Sequence, residues 1–126
     1  MCTLGIDPGV ARTGFGIVEE NNKKLRLIDL GCITTSQKDS TAQRLKIISS
    51  EIRALIKKYN PSDMAIEKIF FSSNSKTAIR VGEARGVILV TASQENLEVC
   101  EYSPLQVKQA LTGYGRADKK QIEYMV

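Results

Sequence analysis

With 126 residues and 42% hydrophobic content, the chain has the size of one domain able to bury a core without disulfides or a structural metal. A net charge of +4, from 18 basic and 14 acidic side chains, suits a polyanionic partner without requiring one. Histidine is absent, which excludes imidazole catalysis and leaves acid–base chemistry to carboxylates, lysines or metal-bound water.

The first eighteen residues, MCTLGIDPGVARTGFGIV, organise the rest. Leu4 and Ile6 alternate with Gly5 and Asp7, so a strand here buries the first pair and turns Asp7 to the other face. Pro8 and Gly9 break that strand, and the apolar run Phe15 to Val18 follows closely enough to form a hairpin with it. Gly9, Gly14 and Gly16 leave little side-chain bulk around Asp7, which gives a metal ion or a phosphate room to approach. The same residues also make an ordinary turn aspartate flanked by turn glycines. After the polar EENNKK turn, Leu25 to Thr35 reads as a third strand of an antiparallel meander, with Gly31 marking a bulge. Ser40 and Gln43 have capping-box spacing, and Leu45, Ile48, Ile52, Leu55 and Ile56 then repeat at helical intervals until Asn60-Pro61 ends the helix.

Met64 to Glu67 is a short strand after a helix, which a right-handed crossover lays parallel to the first. Matching parities put Glu67 beside Asp7 at neighbouring strand ends. Two adjacent carboxylates repel unless a cation lies between them, and an oxygen-only donor set favours Mg²⁺ or Mn²⁺ over zinc. The competing reading is that Glu67 begins a surface loop. Phe70 and Phe71 sit in a polar loop that includes Asn74, where an exposed ring suits stacking on an unpaired base. A second helix is expected from about Asn74 to Gln94. Ala78, Gly82 and Gly86 recur along it every four residues, at a cost in helix propensity that close approach of another helix would offset, within the domain or across a two-fold axis. Leu97 to Tyr102 is a fifth strand, Pro104 opens a short helix through Leu111, and TGYGRADKKQ is a basic loop before the helical pattern QIEYMV. Lys108, Arg116, Lys119 and Lys120 concentrate positive charge there, as a solvated face or as contacts that position phosphates. Apolar runs fall well short of the ~20 residues that span a bilayer, and Asp7 interrupts any signal-peptide pattern, so a soluble cytoplasmic protein is expected. Cys2, Cys32 and Cys100 are odd in number and widely spaced, with no CxxC pair to grip zinc, which reads as reduced, buried thiols.

Three strings, LGIDPGVARTGFG, AIEKIFFSSNSKTAIRVGEARG and EYSPLQVKQALTGYGRADKKQIEYMV, together resemble the RuvC family of Holliday-junction resolvases over essentially the whole chain. That resemblance implies an α/β, ribonuclease-H-like fold: a mixed five-stranded sheet, three antiparallel strands then two parallel, flanked by helices. It implies a magnesium-dependent endodeoxyribonuclease of recombination and repair, with two Mg²⁺ ions (or Mn²⁺) per intact site, acting on four-way junctions as a homodimer built partly on the Ala78, Gly82, Gly86 helix. Asp7 and Glu67 match the family's first two catalytic, metal-binding carboxylates. Phe70 matches its base-stacking aromatic, and Lys108 and Lys119 match basic residues near the scissile phosphate. RuvA and RuvB are the implied branch-migration partners. The family's other two carboxylates come from a C-terminal DxxD-type stretch that is missing here, since Asp118 and Glu123 are the only acids after Leu111 and do not form it. Residues 1–126 are therefore expected to be a single RuvC-like nuclease domain without its C-terminal helix.

Three other readings stay open on the sequence. A ribonuclease-H-like nuclease of ribosomal RNA precursors would share the carboxylates, a non-catalytic junction-binding module would need only the DNA contacts, and an actin-like ATPase would share the DPG and TG hairpin.

Overall fold

The computed structural model describes residues 1–68 and 75–102. Strand β1 (Cys2–Asp7) is followed by β2 (Arg12–Asn21), β3 (Lys24–Thr34), helix α1 (Thr41–Tyr59), β4 (Asp63–Glu67), α2 (Ser75–Gln94) and β5 (Glu98–Tyr102). The sheet order is β3-β2-β1-β4-β5. Strands β1, β2 and β3 pair antiparallel, while β4 is parallel to both β1 and β5, which is the mixed sheet expected. The helical segments expected after Pro104, together with Phe70, Phe71, Asn74, Lys108, Lys119 and Lys120, lie outside the described residues.

Side-chain alternation decides which face of this sheet is buried. Leu4 and Ile6 of β1, Ile17 of β2, Ile33 of β3, and Met64 and Ile66 of β4 are all buried on one face. They form a single cluster with Ile48, Ile52 and Ile56 of α1 and with Ala84, Ile88 and Ala92 of α2. Burying a side chain the size of Ile48 or Ile52, neither of which retains any exposed surface, contributes about 1.5–3 kcal/mol. The helix ends follow local chemistry. Ser40 Oγ accepts from the Gln43 N–H at 3.2 Å, and Asn60 takes the left-handed conformation at φ 47° while its N–H donates to the Ile56 carbonyl at 2.8 Å. The helices clasp through polar groups: Ser49 meets Thr91 at 2.7 Å, and Arg53 binds Glu95 at 3.0 Å and Gln94 at 2.9 Å.

One expectation about glycine needs correction, and a second loses one of its two alternatives. The irregularity between β2 and β3 falls at Ile28, because Leu27 pairs with Val18 and Asp29 pairs with Ile17. Gly31 instead lies directly under the Phe15 ring, where a Cβ would stand 2.8 Å from Phe15 Cζ, so glycine there makes room for an aromatic on the next strand. Along α2, the small residues that face the core are Ala84 and Ala92, together with the buried Ala78. A Cβ at Gly82 or Gly86 would meet nothing within 4 Å, so no described part of this chain closes upon them.

Candidate active site

The turn that carries the chain away from Asp7 is built for one backbone path. A Cβ at Gly9 would lie 2.3 Å from the Arg12 carbonyl oxygen, a clash with main chain that no rotamer relieves. Thr13, fully buried, donates its hydroxyl to the Gly9 carbonyl at 2.6 Å and accepts the Gly9 N–H at 3.4 Å. From the end of β3, Thr35 donates its hydroxyl to the Val10 carbonyl at 2.6 Å and its N–H to the Ala11 carbonyl at 3.1 Å. Arg44, a buried residue in the first turns of α1, donates from Nε to the Thr35 hydroxyl at 2.9 Å. Residues 8–12 are thus tied to β2, to β3 and to α1, and the end of β1 inherits that rigidity.

On the other side, β1 and β4 run parallel in the register Leu4 to Met64, Gly5 to Ala65 and Ile6 to Ile66. One step further along, the two strands end at Asp7 and Glu67, both exposed. Asp7 is opposite Gly14 on β2, which is in turn opposite Cys32 on β3, and Glu67 is opposite Tyr102 on β5. A single row therefore crosses the sheet on the face away from the core, with the two carboxylates at its centre. A Cβ at Gly14 would stand 3.6 Å from the Asp7 Cβ, so any larger side chain there would lie over the carboxylate. Burial, with a further contribution from Cys100, raises the pKa of Tyr102 at the end of the row. Arg12 is exposed on the same face, with one guanidinium nitrogen 3.9 Å from the sulfur of Cys32. The expectation of buried thiols fails here: Cys32 is exposed because its side chain falls on the face away from the core, and Cys2 and Cys100 are only half-buried. Among the described residues, no group of three or more His, Cys, Asp or Glu side chains gathers in a metal-binding arrangement. Two exposed carboxylates with a glycine beside them are a donor set suited to a hard, oxygen-preferring cation, which keeps part of its coordination open to water or phosphate.

The structure brings Asp7 and Glu67 together as their parities require. Gly82 and Gly86 lie on α2, away from that row, and Ala78 is buried. Sequence reasoning missed the residues that tie down the turn after Asp7, namely Thr13, Thr35 and Arg44. For Thr13 a signal existed in its position one residue before Gly14, in the hairpin already singled out; Arg44 carried no such mark, since it reads as one of the charged residues off the apolar stripe.

The model of the crossover junction endodeoxyribonuclease RuvC family matches residues 3–126. The chain belongs to the RuvC family. A RuvC from Roseiflexus sp. (strain RS-1) is 55% identical over 98% of this chain and 74% of its own length. That of Halothermothrix orenii is 53% identical over 100% of this chain and 76% of its own. T. thermophilus RuvC, solved in complex with a Holliday junction substrate, superposes with a TM-score of 0.83 at 33% identity, over 89% of this chain and 72% of that one. The RuvC assignment leaves the ribosomal-RNA, non-catalytic junction-binding and actin-like readings without support. No helix among the described residues is long and apolar enough to cross a membrane.

Proposed function

We propose that this RuvC-family chain resolves four-way DNA junctions by metal-dependent hydrolysis of phosphodiester bonds. The observation that carries the reading is the meeting of Asp7 and Glu67 at the ends of adjacent parallel strands, beside the open position at Gly14. Nucleases of this family are metal-dependent. Asp7 and Glu67 would hold the cation, Mg²⁺ with Mn²⁺ as substitute, at two ions per complete site. When bound, such ions supply Lewis acidity that polarises the phosphate and lowers the pKa of the attacking water. The chain's own contribution is to keep two like charges close in a geometry set by strand pairing, so that little reorganisation is needed when substrate arrives.

Around this centre the reading assigns nucleic-acid contacts to Phe70, Phe71, Asn74, Lys108, Lys119 and Lys120, the aromatics stacking on bases and the lysines neutralising phosphates. Residues 1–126 act as one nuclease domain. Two copies associate through α2, which supports a dimer by leaving Gly82 and Gly86 open between Ile79 and Val90, 62% and 55% exposed. A two-fold pair presents two sites to two strands of like polarity, and RuvA and RuvB are the partners that would deliver the junction.

The deciding experiment is incision of an end-labelled synthetic four-way junction in Mg²⁺, beside linear duplex and single-stranded RNA. In a protein carrying all four of the family's carboxylates, paired, symmetric nicks at the junction are expected, and Asp7→Asn should abolish them while junction binding in Ca²⁺ persists. Cleavage of the RNA or the linear duplex in preference to the junction would overturn the reading.

A further inference from the structure

The helix α2 contributes one charged side chain to the carboxylate row from behind. Arg85 donates from Nε to the main-chain carbonyl of Glu67 at 3.4 Å, and a terminal nitrogen of the same guanidinium pairs with the Glu101 carboxylate on β5. Its side chain retains only 16% of its exposure. Glu101 sits on β5 opposite Ile66, one residue before the pair formed by Tyr102 and Glu67. On the far side of the same peptide, the Lys68 N–H donates to the Tyr102 carbonyl at 2.6 Å. The peptide that follows Glu67 is therefore held at both its oxygen and its nitrogen, at the point where β4 ends and pairing would otherwise fray. A carboxylate at a strand end moves with its own main chain. Fixing that peptide fixes where the Glu67 side chain starts.

We propose that Arg85 is a positioning residue for Glu67: its guanidinium, anchored on Glu101, locks the last peptide of β4 so that the carboxylate faces Asp7 in one orientation. This rests on the assignment of Glu67 to the metal site. The planar fork of arginine serves both partners at once, Nε to the carbonyl and a terminal nitrogen to the carboxylate, whereas lysine offers one point charge and can satisfy only one of them well. Groups that orient metal ligands from behind commonly govern metal affinity by about 10–100-fold, and an indirect contact through main chain belongs at the low end of that range.

The test compares Arg85→Ala, Arg85→Lys, Glu101→Gln and Glu67→Gln in three measurements: Mg²⁺ binding by calorimetry, the Mg²⁺ concentration for half-maximal junction incision, and junction binding in Ca²⁺. Arg85→Ala should weaken Mg²⁺ binding and raise the half-maximal concentration by roughly tenfold, with junction binding kept. Arg85→Lys and Glu101→Gln, which preserve more of the packing, should shift both in the same direction by about threefold. Unchanged Mg²⁺ binding in Arg85→Ala and Glu101→Gln, while Glu67→Gln abolishes it, would overturn the positioning role and leave the metal assignment intact. If Glu67→Gln itself leaves Mg²⁺ binding unaltered, the metal assignment fails instead. A fall in activity that follows melting temperature across the series, with no change in Mg²⁺ affinity, would also refute the proposal.

Discussion

Gly14 separates the needs of the fold from those of the site. It lies opposite Asp7, a Cβ there would be 3.6 Å from the Asp7 Cβ, and its backbone does not occupy the left-handed region. The separation is an ordinary van der Waals contact, so Gly14→Ala should be accommodated and should stabilise the strand by about 0.5–1 kcal/mol through reduced freedom of the unfolded chain. Valine adds two carbons about 1.5 Å beyond that Cβ. On a pleated face with the Asp7 side chain already in contact, at least one of them must crowd the carboxylate. A displacement of a reacting group on the order of 1 Å costs about 100-fold in rate. Gly14→Val is therefore expected to cut a four-way junction about 100-fold more slowly in single-turnover assays at saturating Mg²⁺, with Gly14→Ala between it and the parent. Junction binding in Ca²⁺ and the melting temperature should not fall in either variant. A Gly14→Val protein that cuts at the parental rate with the parental Mg²⁺ requirement would show that the space beside Asp7 has no role in the reaction.

The buried hydroxyl of Thr13 offers a second test: Thr13→Val keeps the shape but strands the Gly9 carbonyl and N–H, so unfolding in urea should show a loss of about 1–3 kcal/mol, largely restored by Thr13→Ser. The third concerns acid. Tyr59 donates its hydroxyl to Asp29, and that bond, followed by the Leu30 N–H, holds the Asp29 carboxyl below the ordinary carboxylate value. A lowered folded-state pKa contributes stability that is present above the unfolded value, about 3.9, and is lost as the pH falls through the folded value. Tyr59→Phe should accordingly melt below the parent at pH 7, with the gap closing as the pH drops under about 4, by thermal unfolding followed across pH 3–7. A gap that stays constant with pH would assign the effect to packing.

Local sequence determined most of the scaffold. Strand parity was readable because alternate residues must face opposite sides, and one buried face then admits a single register; Leu4 and Ile6 against Met64 and Ile66 settle it, and Asp7 meets Glu67 as a consequence. Helix α1 declared itself by its isoleucine period and by Ser40 and Asn60 at its ends, because capping is chemistry within a few residues. What tertiary structure alone decided is everything that depends on a partner distant in sequence. Gly31 carries no mark of the Phe15 ring above it, and Ile28 none of the bulge it forms, since both follow from how β2 and β3 twist together. Gly82 and Gly86 share a spacing with Ala78, yet the core side of α2 is defined by Ala84, Ile88 and Ala92, a choice made by where the sheet lies. Arg44 and Arg85 look like surface cations in the sequence, and only the folded chain shows them reaching Thr35 and Glu67. The two carboxylates could be found from periodicity because pairing is a rule of the strand. The side chains that hold them in place could not, because a hydrogen bond between a helix and the end of a strand leaves no period in the sequence.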